Sequence, residues 1–77
     1  MKNAAEIVAI AEQALSVPCA MKSSAELCLE YAKASLSEGK NAQAAQQAIR
    51  SMRYTLGILH PTFQQAQAAA LKLAKES

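Results

Sequence analysis

Aspartate and tryptophan are absent from this 77-residue chain, which holds only three aromatics, two glycines, two prolines, two cysteines and one histidine. Each shortage closes off something. Valine and isoleucine together number six, too few β-branched and aromatic residues for a chain built on strands. Two glycines leave no room for a glycine-rich phosphate loop. The scarcity of glycine and proline, with 52% apolar residues, also argues against a disordered or fibrous chain. Two cysteines fall short of the four to eight common in small secreted scaffolds, so Cys19 and Cys28 are expected as one loop thiol and one core thiol.

Catalytic chemistry is equally short of parts. A nucleophile needs a base beside it and a group to orient that base. Here His60 is the sole imidazole and no aspartate exists to hold it. Glu6 and Glu26 fit helix-capping positions, and Glu12, Glu30 and Glu38 fall on outward faces, so no paired-carboxylate site forms. Cys19, Cys28 and His60 match no metal-ligand spacing. The expectation is a non-enzymatic protein with no cofactor and no metal.

No run approaches the 18 or more uncharged apolar residues of a membrane span. Lys2 precedes an Ala/Ile/Val-rich stretch, but Glu6 and Glu12 interrupt it as no secretory core would allow, and Pro18 directly before Cys19 spoils a lipoprotein site. A soluble, cytoplasmic protein without membrane contact is expected. The net charge of +2 arises from eight cations and six anions interleaved along the chain. Nucleic-acid binding needs several phosphates neutralised from one face, so it is disfavoured.

What remains is helix material: 18 alanines, eight leucines, seven glutamines and seven serines, most of them good helix formers. Four segments carry helical periodicity. Asn3-Ala4-Ala5-Glu6 forms a capping box ahead of a stripe at Ile7, Ile10, Ala11 and Ala14, and Pro18 ends that helix near Ser16. Ser23-Ser24-Ala25-Glu26 is a second capping box, with Ala25, Cys28, Leu29, Ala32 and Leu36 inward, a Glu30–Lys33 pair outside and Gly39 just past the C-terminus. Asn41 is expected to cap the third helix, with stripe Ala45, Ala48, Ile49, Met52, Leu56 and Leu59; His60-Pro61 stops it. The fourth begins at Thr62 and buries Ala66, Ala69, Ala70 and Leu73. Short linkers favour antiparallel neighbours, so the predicted fold is one all-α domain over residues 1–77, a small antiparallel bundle of three to four short helices.

An alanine-rich core buries little area per residue, while Val8, Leu15, Leu27, Tyr31, Ile58, Phe63 and Leu71 lie off the stripes. Some must widen the core and the rest would form an exposed apolar patch, the usual mark of a partner surface. Arg50 and Arg53 share a helix face with Tyr54 beside them. The candidate interface is therefore Leu27, Tyr31, Arg50, Arg53, Tyr54, Ile58 and Phe63. The expected function is a small protein–protein interaction module (adaptor, chaperone-like or inhibitor) acting through apolar helix faces, with a protein partner and self-association into a homo-oligomer. The alternative is a small DNA-binding regulator reading through Arg50 and Arg53 of the third helix.

Ala34–Leu59, through Leu36, Gly39, Gln46-Gln47, Arg50 and Leu56-Gly57-Ile58-Leu59, also resembles the helical hairpin of small type III secretion cochaperones, which guard needle subunits with a tetratricopeptide partner. The resemblance covers about a third of the chain, and the fourth helix departs from that two-helix pattern. A tetratricopeptide likeness over Ala32–Pro61 departs further, since the bulky signature positions hold Cys28, Ala32 and Ala44.

Overall fold

A computed structural model describes residues 3–16 and 20–76. The expected stop at Pro18 and the expected loop thiol of Cys19 lie outside the described residues. Four helices follow in order: α1 (Ala4–Ala14), α2 (Lys22–Ser37), α3 (Asn41–Thr55) and α4 (Pro61–Glu76). The all-α bundle predicted from periodicity is the architecture found.

Local chemistry sets most of the boundaries. Asn3 caps α1 by accepting the Glu6 amide on Oδ1 at 2.9 Å. Gly39, at φ +79°, closes α2 in a Schellman turn: the Gly39 amide donates to the Leu36 carbonyl at 3.1 Å and the Lys40 amide to the Ser35 carbonyl at 2.9 Å.

The two middle caps differ from expectation. Met21 precedes α2 and Lys40 precedes α3, neither with a side-chain cap. Ala25 already donates to the Met21 carbonyl and Ala44 to the Lys40 carbonyl, which draws Ser23 and Asn41 inside their helices and out of capping position. The Glu30–Lys33 pair is likewise replaced: Lys33 Nζ sits 3.2 Å from Glu12 Oε1, tying α2 to α1.

The end of α3 is the largest departure. Gly57 adopts φ +89°, a conformation costly for any residue with a Cβ. With Leu56 and Gly57 both donating to the Met52 carbonyl, the helix stops at Thr55, well short of His60-Pro61. Leu59 therefore leaves the predicted stripe and stands 84% exposed. Pro61 then takes the first position of α4, where its missing amide has no consequence. His60 Nδ1 accepts the Thr62 amide at 3.1 Å, so the histidine side chain caps α4.

α3 is the hub. It packs on all three other helices, α1 touches both α2 and α4, and α2 and α4 do not meet. The molecule measures 33 × 24 × 14 Å. Three helices side by side at 8–10 Å spacing need about 21–25 Å across, and two stacked layers need about 13–15 Å. The dimensions fit a three-helix layer, α2–α3–α4, with α1 laid across one of its faces.

The core lies between α1 and that layer. Ile7, Val8, Leu29, Met52 and Phe63 supply the bulk, and alanines such as Ala11, Ala32, Ala45, Ala48 and Ala66 fill the close approaches between helices. Ser51, fully buried, donates its hydroxyl to the Ala25 carbonyl at 2.8 Å, bonding α3 to α2 directly.

Candidate functional site

Because α1 covers only one face of the layer, the other face is bare. Buried residues of α3 (Ala44, Ala45, Ala48, Ser51, Met52, Thr55) turn toward α1 and the flanking helices. At 100° per residue, Gln46, Arg50, Arg53 and Tyr54 fall on the opposite side, and all four are exposed.

Two grooves run along this face, one on each side of α3. Between α3 and α4 lies a groove of about 250 Å³ lined by Gln46, Ile49, Arg50, Gln67, Ala70, Leu71 and Ala74. Between α2 and α3 is a larger one of about 600 Å³ bounded by Cys28, Arg50, Arg53 and Tyr54. Arg50 is common to both. Tyr31 stands one turn beyond Cys28 on α2 and Leu27 one turn before Tyr31, carrying the apolar surface round the outer edge of that helix. Tyr31, Leu27, Tyr54 and Leu71 are each two-fifths exposed or more.

The structure thus brings together Arg50, Arg53 and Tyr54 along one groove, while Leu27 and Tyr31 are exposed on α2 and line neither groove. Ile58 is exposed as expected but projects from the α3–α4 loop, where its carbonyl accepts from the Gln64 side chain at 3.4 Å. Phe63 is a correction. Only 2% exposed, it is a core residue and no part of an interface. With α4 starting at Pro61, Phe63 falls in phase with Ala66 and Ala70 and fills volume those small side chains leave open. Of the other off-stripe residues, Val8 is buried, Leu15 packs against the core and Leu71 is exposed.

Cys28 is also not the core thiol that its stripe suggested. It carries a free thiol and is half-buried at the groove beside Arg50. The expected interface omitted Ile49, Gln67 and Leu71. Leu71 had a signal, being off-stripe on α4; Ile49 read as core because it lies on the α3 stripe.

Charge on this face is of one sign. The ion pairs among the described residues are Lys33–Glu12 and Lys40–Glu38, so neither arginine has a carboxylate partner. Glu26 and Glu30 follow the same flank of α2 as Lys33, which points to α1. Among the described residues no group of three or more His, Cys, Asp or Glu is placed to hold a metal ion, and no helix is long and apolar enough to cross a membrane. No family model matches the chain, and no curated protein or solved structure matches it.

Proposed function

We propose that this chain is a protein-interaction module that docks a segment of another polypeptide on the bare face of the α2–α3–α4 layer. The observation that carries the reading is the one-sided covering of that layer. One face is sealed by α1, while the other leaves Tyr54 and Leu71 exposed in the linings of two grooves, with Tyr31 exposed farther out on α2. Aromatic and arginine side chains at the centre of a surface are the types that dominate binding energy at protein interfaces. The groove linings are mostly apolar, aromatic, amide and guanidinium side chains, groups suited to holding a polypeptide.

A selection of displayed 16-residue peptides against the full chain, repeated with a Tyr31→Glu/Leu71→Glu variant, tests this. Peptides that bind the parent chain and are lost on the variant support the reading. Peptides indifferent to both substitutions, or no enrichment at all, reject it. Both positions are exposed, and unchanged helical circular dichroism confirms that the variant folds.

A further inference from the structure

We propose that the occupant of the bare face is an acidic amphipathic helix from a different protein, its apolar stripe in the α3–α4 groove and its carboxylates on Arg50 and Arg53. This rests on the reading of that face as a docking surface and names its partner. Shape comes first. The groove floor is Ile49, Ala70, Leu71 and Ala74, and the two alanines allow a helix backbone to come close. The α4 wall from Gln67 to Ala74 rises about 10 Å, the length of two helical turns, so a guest presents apolar residues at i, i+4 and i+7. Gln46 and Gln67 edge the groove as neutral hydrogen-bonding groups.

Charge then selects among occupants. Arg50 and Arg53 lie at the middle of the face, and among the described residues no carboxylate is paired to either. A second copy, docked face to face about a two-fold axis, would set arginines against arginines. Among the described residues it would bring no carboxylate from either groove, because none of the six glutamates lines one. Glu12, Glu26 and Glu30 follow the α1 side, Glu6 is on α1 itself, Glu38 is engaged by Lys40, and Glu76 stands beside Gly39 and Asn41. Duplex DNA is a poor fit as well, since two cations neutralise few phosphates and the tyrosines and Leu71 would press on a charged backbone. An acidic helix satisfies both halves of the surface, with bidentate carboxylate–guanidinium pairs at the centre and buried apolar contacts beside them.

The test uses the full chain and three measurements. Peptide selection is run on the parent and on Arg50→Glu/Arg53→Glu, and a synthetic peptide from the parent pool is titrated against both by fluorescence anisotropy. The parent pool is expected to be rich in Glu and Asp with apolar residues at helical spacing, and the reversed variant to enrich Lys and Arg instead. Affinity for the synthetic peptide should fall at least tenfold on charge reversal, about 1.4 kcal/mol, and about as far on Arg50→Gln/Arg53→Gln if the arginines pair with carboxylates. Light scattering should return a single-chain mass, and random duplex at low salt should not be retarded.

Peptides that need Tyr31 and Leu71 but ignore the arginines would overturn the acidic partner and leave the docking face standing. A dimer dissolved by Leu71→Glu would overturn it in favour of a second copy. A duplex shift abolished by Arg50→Glu/Arg53→Glu would overturn it in favour of nucleic acid. Loss of dependence on Tyr31 and Leu71 as well would remove the docking face itself.

Discussion

Gly39 and Phe63 show how unevenly single residues bear on this fold. Nothing lies within 4 Å of a Cβ built on Gly39, so Gly39→Ala meets no steric obstacle. Its cost is the left-handed backbone alone, about 1–2 kcal/mol. Chemical denaturation should show that loss, with Gly39→Asn milder because asparagine tolerates this conformation. Phe63 is the opposite case. It is the largest of the fully enclosed side chains, and its neighbours on α4, Ala66 and Ala70, cannot close over a void. Phe63→Ala should remove about 3–5 kcal/mol. A chain of this length has about 4–12 kcal/mol in total, so the variant should be largely unfolded by mild denaturant. A loss under about 1 kcal/mol would mean that the site collapses and that Phe63 is not the filler assigned here. The signal for Phe63 was present in the sequence: extending the Ala66/Ala70 stripe back by three residues reaches it.

Among the elements, legibility followed how local the determinants were. α1 was readable because Asn3 and Glu6 are neighbours in sequence and the cap bonds them directly. The Schellman close of α2 was readable from Gly39 for the same reason. The end of α3 was not, because the stripe through Leu56 and Leu59 continued unbroken past Gly57 and only the backbone at that glycine interrupts it. Ser51 and Thr55 were missed as interior positions because polarity argues outward. Their hydroxyls are satisfied by backbone carbonyls, Ser51 on Ala25 and Thr55 on Met52 at 3.3 Å, and their small size lets α2 and α3 approach closely. That closeness is testable at Ala48, wholly buried in the middle of α3. Ala48→Leu inserts three carbons where the helices meet and should destabilise by about 1–3 kcal/mol, whereas Ala68→Leu, exposed on α4, should change little. Equal effects at both positions would contradict the packing described.

At the scale of the whole molecule, no local pattern announced that α1 lies across one side of a three-helix layer, since that placement depends on side chains far apart in sequence meeting at Ile7, Met52 and Phe63. The individual residues of the candidate site were legible as off-stripe or charged positions, but their assembly on one face waited on the fold. One-sidedness has a consequence for stability that separates it from an evenly closed bundle. Substitutions on the covered side should unfold the chain, and substitutions on the bare side should leave it intact. Val8→Ala and Met52→Ala remove buried volume, at about 1.5–3 and 2–5 kcal/mol respectively. For a domain of this size each kcal/mol lowers Tm by about 4–8 °C, so Met52→Ala should fall by about 8 °C or more. Tyr31→Ser and Leu71→Gln, both more than half exposed, should stay within about 0.5 kcal/mol of the parent, a Tm change of a few degrees at most. The same two substitutions remove exposed apolar side chains from the two outer helices of the layer, Leu71 from the groove itself, so peptide binding should fall while the melting curve holds. If Tyr31→Ser or Leu71→Gln melted the chain as Met52→Ala does, that surface would belong to the core of a larger folded unit. Stability and binding would then not be divided between the two faces of the layer.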